Sequence, residues 1–344
     1  MPESVQSAAP FQTGSRFLIS KNQEEITMKK VCAILMAACL LLTGMCSAFA
    51  EEKTYKIGIC QLAPHPALDA ATQGFRDYLT EKLGDRVVFI ESNAQGETAN
   101  CTLIMNSLIA ENVDLIMANA TGALQAAESA TGDIPILATA VTDYGVALDL
   151  TCTDGKTGVN VSGTSDLAPL DQQAAMIKEL FPDAKEIGLL YCSAEANSSY
   201  QIAVMTEELT KLGYHCTEYA FSDATDVSSM TTAACQTSDV IYVPTDNTVA
   251  NNTEAIRNVV EVENVPVVAG EEGICSGCGV ATLSISYYEL GRITGEMAYE
   301  VLVEGADVSQ MAIRYAPTTS KEYNAELCEI MGITVPADYT AIAE

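Results

Sequence analysis

Two stretches of the chain end an apolar run in polar side chains that could hold a small ligand. Residues 113–118 run into the polar turn 119–121, and Val240–Val243 run into a turn that contains Asp246 and Asn247. A helical pattern begins directly after each turn. In a parallel sheet such turns meet at the carboxyl edge, where the free N–H groups of the next helix attract anions. The sequence therefore predicts two ligand-binding half-sites of the same construction.

Strand and helix patterns alternate from residue 54 onward, and their order repeats once. Residues 56–59 resemble residues 186–189, and residues 134–138 resemble residues 265–269, at an offset of about 130 residues. The strands are almost continuously apolar, which indicates parallel sheets covered by helices on both faces. We therefore predict an α/β fold with two doubly wound, Rossmann-like domains joined by a multi-strand hinge.

The two predicted domains are discontinuous in sequence. Residues 54–160 and 285–310 are assigned to an N-terminal lobe, and residues 161–284 and 311–344 to a C-terminal lobe. The chain would then cross between the lobes about three times, and several crossings form a hinge rather than a flexible tether. We therefore expect the two lobes to rotate together around a ligand.

Three local patterns in the second half of the chain complete the prediction. One helix is expected over residues 248–262, a strand over 311–316 and a helix over 321–331. Cys275 and Cys278 are interpreted as a loop thiol pair or a local disulfide. Because a second cysteine pair and histidines at metal spacing are missing from the sequence, this pair indicates neither a zinc site nor a redox site.

The first fifty residues are typical of export rather than of a folded domain. Residues 1–27 have no sustained period and are interpreted as a mis-assigned leader before the true start at Met28. Residues 28–50 form the predicted signal peptide. A lipid anchor at Cys46 is the disfavoured alternative, because the bulky Met45 stands where a lipidation signal has a small residue. The sequence thus predicts a protein exported to the periplasmic or extracellular face of the membrane.

Charge and motif content exclude several classes of function. The formal net charge is -29, and a field of that sign repels nucleic acid and anionic lipid. It favours a soluble, freely diffusing protein, which we expect to be a monomer. The sequence has two histidines and carries no nucleophile elbow, HExxH, Walker A or dinucleotide-binding fingerprint. We therefore predict a binding protein without enzyme activity, cofactor or metal.

Seven short motifs occur in an order that resembles one known family. They are QLAPHPALD (61–69), NAQG (93–96), TAVTD (139–143), GTSD (163–166), EANS (195–198), VPTDNTV (243–249) and YYELG (287–291). Together they resemble the exported ABC-transporter substrate-binding proteins of the tryptophan- and tyrosine-binding group, which have a type I periplasmic-binding-protein fold. The resemblance covers nearly all of residues 54–340. One departure is Gly122, which stands where the family has proline after Ala-Thr.

The resemblance implies a protein that captures a small molecule, an aromatic amino acid, in an interdomain cleft and delivers it to an ABC permease and its ATPase. A ligand-sensing module that reports to a receptor partner is the alternative. A zwitterionic amino acid needs donors for its carboxylate and acceptors for its ammonium group. The turn 119–121 would bind the carboxylate, and Asp246 would be the counter-charge for the ammonium. Glu271, predicted to be more exposed beside a glycine loop, is the reserve counter-charge.

Ligand-binding residues are expected at strand ends and within these motifs. The full set is Gln61, His65, Asn119, Ala120, Thr121, Thr142, Asp166, Asn197, Ser198, Asp246, Asn247, Glu271 and Tyr287. Some of these residues have a purely structural alternative. Asp246 and Asn197 could be plain helix N-caps, and His65 could only shape the turn before its helix. Tyr287 could be a core aromatic, and Asp166 could serve the hinge.

Overall fold

The computed structural model describes residues 53–343 of the 344-residue chain. The predicted leader at residues 1–27, the signal peptide at residues 28–50 and Cys46 lie outside the described residues. Within the described range, no helix combines the length and the apolar character needed to cross a membrane.

The described strands form two sheets. The strands are β1 Tyr55–Gln61, β2 Val87–Asn93, β3 Leu115–Asn119, β4 Ile136–Val141, β5 Val161–Ser165, β6 Glu186–Cys192, β7 His215–Phe221, β8 Val240–Val243, β9 Val267–Ala269, β10 Ala281–Ile285, β11 Arg314–Tyr315, β12 Thr319–Tyr323 and β13 Thr340–Ala341. The first sheet has the order β11-β5-β4-β3-β1-β2, with all neighbours parallel. The second has the order β13-β12-β10-β9-β8-β6-β7 and is parallel except between β10 and β12.

Helices connect most successive strands. They are α1 Pro66–Leu83, α2 Thr98–Ala110, α3 Thr121–Ala130, α4 Tyr144–Leu148, α5 Leu170–Leu180, α6 Ala196–Lys211, α7 Val227–Cys235, α8 Asn247–Ala250, α9 Thr253–Glu263, α10 Glu272–Cys278, α11 Tyr287–Tyr299 and α12 Ala325–Met331. The first lobe is the first sheet with α1 to α4 and α11. The second lobe is the second sheet with α5 to α10 and α12.

Both sheets are buried on both faces, as the continuous apolar strands predict. Leu115 and Met117 of β3 pack into one hydrophobic cluster, while Ile116 of the same strand packs into a cluster on the opposite face. In β8, Val243 and Tyr242 divide between two clusters in the same way. Side chains alternate across a strand, so a sheet with two apolar faces must be covered by helices on both sides.

The first lobe holds two segments that the sequence analysis assigned to the second. β5, at Val161–Ser165, lies in the first sheet between β4 and β11, and β11 itself belongs to that sheet. The predicted boundary at residue 160 therefore falls one strand too early. The physical reason is the pairing of β5 with the buried strand β4, which sequence periodicity does not distinguish from an extended crossover.

Close helix packing fixes the start of α11 on the first lobe. A Cβ atom on Gly74 would lie 2.0 Å from the carbonyl oxygen of Tyr288, and a Cβ atom on Gly291 would lie 2.0 Å from the carbonyl oxygen of Ala71. Only glycine permits this approach of α1 and α11. Because Tyr287 is the first residue of α11, the same packing sets the position of its side chain.

Three local predictions were wrong in detail. Residues 248–262 do not form one helix, because the backbone leaves helical geometry at Asn252, between α8 and α9. Residues 319–323 form the strand β12 between β13 and β10, so residues 321–323 of the predicted helix are extended, since pairing with β10 outweighs their helical pattern. Cys275 and Cys278 are buried free thiols on the helix α10 rather than in a loop. For β12 a tertiary pairing decides the local structure.

Candidate ligand-binding site

The strand order places one topological switch point in each lobe. β1 lies between β2 and β3, and β6 lies between β7 and β8, so the direction of winding reverses beside these strands. Ligands of doubly wound sheets bind at such carboxyl ends. The N–H of Leu62 donates to the Asn119 carbonyl at 3.2 Å across the first switch point, and the N–H of Cys192 donates to Asp246 Oδ2 at 2.7 Å across the second. The two predicted half-sites therefore lie at the switch points.

Cavities lie between the facing carboxyl edges of the two lobes. One of about 570 Å³ is lined by Thr121 from the first lobe and by Glu195 and Asn247 from the second. Another of about 490 Å³ is lined by Glu271 and Tyr287. The first is large enough for an amino acid, since ligand pockets begin at about 300 Å³.

Polar side chains join the lobes across the cleft. His65 Nε2 of the first lobe lies 3.3 Å from Asn247 Oδ1 of the second. Gln201 Nε2 of the second lobe donates to Thr142 Oγ1 of the first at 3.4 Å. The lobes are therefore in contact across the cleft at two points. His65 meets Asn247 at one of them, and Thr142 meets Gln201 at the other.

No side chain in the described part of the chain caps the start of α3 in the first lobe. Ala120 precedes the helix with φ 85° and ψ 161°, a backbone conformation that strains an alanine. Ala140, beside a register shift in β4, has φ 53°. Strain of this kind concentrates at ligand-binding segments. The first N–H groups of α3 have no acceptor within the helix, so this edge can bind an anion beside the buried Thr121.

Asp166, directly after β5, carries a buried carboxyl group without a basic partner. Its Oδ1 accepts from Thr142 Oγ1 at 3.1 Å and its Oδ2 from the Tyr287 hydroxyl at 3.0 Å. Burial raises the pKa of Asp166 to about 6, although these hydrogen bonds act in the opposite direction. Among the described residues no Lys, Arg or His forms an ion pair with it. A cationic ligand group would supply the missing charge.

Glu271 is buried, contrary to the exposure that the sequence analysis predicted. Its carboxylate caps its own helix, α10, by accepting from the N–H groups of Gly273 and Ile274. Burial raises the pKa of Glu271 to about 7, and the nearby charges of Glu272 and Asp166 add to this effect. These two hydrogen bonds turn the carboxylate back onto the start of α10, so Glu271 is held in the interior instead of extending into solvent.

Asp246 is fully engaged by groups of its own lobe. Its Oδ1 accepts from the N–H of Val249 at 2.8 Å, so it is the N-cap of α8. Its Oδ2 accepts from the N–H of Cys192 at 2.7 Å and from the Ser198 hydroxyl at 2.8 Å. Burial, and then the charge of Glu195, raise the pKa of Asp246. The cap is thus present, and contact of Asp246 with a ligand stays a prediction.

Glu195 organises the second edge, although it was not among the predicted site residues. Its carboxylate accepts from the backbone N–H groups of Asn247 and Thr248, at 3.1 and 2.8 Å, and from both of their side chains. Asn197 Nδ2 donates to it as well, at 3.1 Å. The signal was present in the motif at 195–198, where an acidic residue stands two positions before the predicted Asn197.

Gln201 and Thr245 are two further residues that sequence reasoning missed. Gln201 Oε1 accepts from the N–H of Thr245, and Gln201 Nε2 donates to the Thr245 carbonyl, both at 3.1 Å. Asn197 Nδ2 donates to the same carbonyl at 3.1 Å. A buried amide one helical turn after Asn197 could have indicated this role. The pair holds the turn after β8 against α6.

Gln61 and Asn119 are tied beneath the first edge. Gln61 Nε2 donates to the Ala63 carbonyl and to Asp69, and Gln61 Oε1 accepts from Thr72 Oγ1. Asn119 Nδ2 also donates to Thr72 Oγ1, at 2.9 Å. Both ends of the Gln61 amide therefore have protein partners, and it positions the turn. Asn119 differs, because its Oδ1 has no partner among the described residues.

Two doubly wound lobes with facing switch points and several chain crossings define a type I periplasmic binding protein. The family model for ABC transporter substrate binding protein matches residues 56–343. The chain belongs to this family. Its members are extracytoplasmic, do not act as enzymes, and bring a small-molecule ligand to an ABC transporter.

Individual relatives agree with this assignment. The chain is 37% identical over 266 residues to a tyrosine-binding protein of Clostridioides difficile (strain R20291), with 76% of each chain covered. An ABC domain from Streptococcus pneumonia, solved in complex with L-Trp, is 31% identical, covers 83% of this chain and 97% of its own, and superposes with a TM-score of 0.79. A ligand-free, open structure of a substrate binding protein with adhesive properties from Clostridium difficile is 35% identical. The match covers 84% of this chain and 99% of the other, with a TM-score of 0.65.

Proposed function

We propose that this protein captures an aromatic amino acid between its lobes and delivers it to an ABC permease and its ATPase. The observation that carries the proposal is the Asp166 carboxyl group, which is buried beside the cleft with two hydroxyl donors and without a basic partner among residues 53–343. A buried carboxylate needs an opposite charge, and the ammonium group of an amino acid provides one.

The first edge matches the spacing of the two charged groups of an amino acid. Neighbouring strands are about 4.8 Å apart, so the ends of β3 and β5, on either side of β4, are about 10 Å apart. The ammonium and carboxylate of an amino acid are about 3 Å apart, and a hydrogen bond of about 2.9 Å at each end extends this to about 9 Å. The carboxylate would bind at the α3 start beside Thr121, and the ammonium at Asp166.

The second lobe supplies a fixed surface that closes over the ligand. Asp246, Glu195 and Glu271 already accept from backbone N–H groups of their own lobe. We therefore propose that Asp246 acts as a scaffold for the turn and that Asp166 is the charge partner. The aromatic side chain is proposed because relatives bind tyrosine or L-Trp.

Calorimetry with matched ligands tests the proposal. Tyrosine and tryptophan should bind, while the corresponding amines without a carboxylate and acids without an amino group should bind at least about a hundredfold more weakly, since each leaves a buried polar group unpaired. Binding should also raise the melting temperature of the protein by mass action. Equal binding of the amine and the amino acid would contradict carboxylate recognition at α3, and absence of all amino-acid binding would contradict the function.

Export and oligomeric state belong to the same proposal. We infer that residues 28–50 are removed, because the cleavage signal at residue 50 is better formed than the lipidation signal at Cys46. We also infer that the mature protein acts as a monomer. The intact mass of the protein from its native host should correspond to an N-terminus at Glu51. A diacylated Cys46 would contradict this part.

A further inference from the structure

Two buried acceptor atoms of the first lobe have no hydrogen-bond partner among the described residues. They are His65 Nδ1 and Asn119 Oδ1. The side chains are 6% and 0% exposed, so water outside the protein does not satisfy them. Both belong to the same region, because His65 precedes α1 and Asn119 Nδ2 donates to the Leu68 carbonyl in the first turn of α1. Buried acceptors without donors are rare, and their presence in a binding cleft points to a donor on the ligand.

The orientations of two amide groups are fixed by their partners. The Leu68 carbonyl can only accept, so Asn119 must turn its NH₂ group toward it, at 2.8 Å, and leave Oδ1 bare. Asn247 Nδ2 donates to Glu195 Oε2 at 2.7 Å, so Asn247 Oδ1 is the atom that lies 3.3 Å from His65 Nε2. The Glu195 carboxylate therefore determines which atom of Asn247 faces the imidazole.

The tautomer of His65 follows from that contact. Asn247 Oδ1 can only accept, so His65 Nε2 carries the proton. Burial lowers the pKa of His65, against the opposing effects of Asn247, Asp69 and Glu195. The lowered pKa favours the neutral ring at pH 7, and in a neutral ring with its proton on Nε2 the Nδ1 atom is an acceptor. It has no donor among the described residues.

We propose that His65 Nδ1 accepts a hydrogen bond from a neutral donor on the ligand side chain, either a phenol O–H or an indole N–H. The inference rests on the proposed function and deepens it by naming the side-chain chemistry that the first lobe selects. The ammonium group is drawn to the Asp166 carboxylate, which offers an opposite charge, and the ligand carboxylate is repelled by two bare acceptors. A side-chain donor is the remaining group that can satisfy His65.

The arrangement links side-chain recognition to closure of the cleft. Glu195 and Asn247 belong to the second lobe, and His65 belongs to the first. The contact that fixes the tautomer therefore exists only when the lobes meet. In an open protein His65 would be free to take either tautomer, so selection of a donor-bearing ring belongs to the closed state.

Calorimetry with three amino acids on the full chain tests the inference. At least one of tyrosine and tryptophan should bind at least about tenfold more tightly than phenylalanine, which leaves His65 Nδ1 unsatisfied. The variant His65→Leu should weaken binding of the preferred ligand by about tenfold and change phenylalanine binding by less than about threefold. His215→Leu is the matched control, since His215 is exposed and contacts Glu186 outside the cleft. It should change neither affinity.

Nitrogen NMR of the imidazoles supplies a second readout that does not depend on folding of the variant. The chain has two histidines, so the imidazole signals that remain in His215→Leu are those of His65. A protonated Nε2 and a bare Nδ1 that responds to tyrosine or tryptophan would support the inference. A protonated Nδ1 in the complex, or phenylalanine binding as tightly as the better of the other two, would overturn it while leaving the proposed function intact. If none of the three amino acids binds, the proposed function fails together with this inference.

Discussion

The two edges of the cleft are built from the same strand-turn-helix units but differ in how their polar groups are satisfied. At the second edge, Asp246 and Glu195 each accept three or more hydrogen bonds from their own lobe. At the first edge, Asp166 accepts from two hydroxyl groups, while His65 Nδ1 and Asn119 Oδ1 accept from none of the described residues. The second edge is complete without a ligand, and the first is not.

This difference assigns separate tasks to similar residues. A saturated carboxylate at a helix start stabilises a turn, since its charge is already held by backbone N–H groups. An unsaturated buried carboxyl group costs folding free energy until a partner arrives. The carboxylates of the second edge are therefore saturated by their own lobe, and we propose that a ligand satisfies the open groups of the first edge. Two further buried atoms without a partner among the described residues, Thr282 Oγ1 and Glu322 Oε2, lie on β10 and β12 of the second lobe, away from Asp246 and Glu195.

Asp166→Asn is expected to have the largest effect on binding. The change retains the size of the side chain and removes the charge, so affinity for an amino acid should fall by about 3–5 kcal/mol, the cost of breaking a buried charge pair. Calorimetry would measure it. The melting temperature of the ligand-free variant at pH 7 should not fall, because a buried carboxyl group with a raised pKa is removed.

The exposed Asp183→Asn is the matched control for this experiment and should bind normally. Wild-type affinity in a folded Asp166→Asn protein would show that the first edge does not carry the charge recognition, and the contrast between the edges would lose its functional meaning.

Asp246→Asn should affect folding more than binding. An amide cannot accept at both of its ends, so either the N–H of Val249 or that of Cys192 loses its acceptor, at a cost of about 1–3 kcal/mol in the free energy of unfolding. Urea unfolding measures this cost. Affinity should fall less than in Asp166→Asn. A stable variant with a binding loss of about 3–5 kcal/mol would instead support the sequence-based hypothesis that Asp246 binds the ammonium.

The smallest expected effect is a dependence of binding on pH. Burial raises the pKa of Asp166 from 3.8 to about 6 and that of Glu271 from 4.5 to about 7. At pH values between the ordinary and the raised pKa of each group, the folded, ligand-free protein binds more protons than the unfolded chain. These two groups therefore make the folded protein more stable as the pH falls through that range. An ammonium ligand favours the ionised form of Asp166. Affinity should therefore rise about tenfold from pH 5 to pH 7, with proton release on binding near pH 6.

The difference between the wild type and Asp166→Asn isolates this effect. Carboxylates with a lowered pKa make the folded protein less stable as the pH falls. Asp239 is one of them, since hydrogen bonds from the N–H groups of Glu186 and Lys185 lower its pKa. Calorimetry in buffers of different ionisation heat measures the protons released. Equal release by the wild type and Asp166→Asn would show that the titrating group lies elsewhere, for example at Glu271.

Much of the fold could be predicted because local signals and packing agree. The strand Val240–Val243 was predicted with both boundaries. The helix Pro66–Leu83 begins at a proline and ends before a glycine with φ 56°, which are local signals for the two ends of a helix. Prediction failed where a distant pairing decides the structure. β12 is a strand because β10 lies beside it, and β5 joins the first sheet because β4 does.

The roles of the candidate site residues were harder to predict for a related reason. Asp166 and Asp246 both follow strands and look alike in sequence. They differ in partners that are remote along the chain, since Tyr287 lies 121 residues from Asp166 and Cys192 lies 54 residues from Asp246. Hydrogen-bond saturation is a property of the assembled edge, so a sequence pattern can place a carboxylate there without showing what already holds it.

The packing of α11 on α1 also determines when the first lobe can finish folding. The hydrogen bonds Tyr288–Asp77 and Arg292–Glu81 each join residues 211 positions apart. The last strand of the first sheet, β11, lies at residues 314–315. A chain made from its N-terminus must therefore complete nearly the whole second lobe before the face of α1 is covered. Contacts between such distant residues form slowly, because the entropy cost of closing the long loop is met before the contact contributes favourable free energy. The first lobe is thus made first but finished late, and a nascent chain that stops before residue 287 lacks the helix that packs against α1.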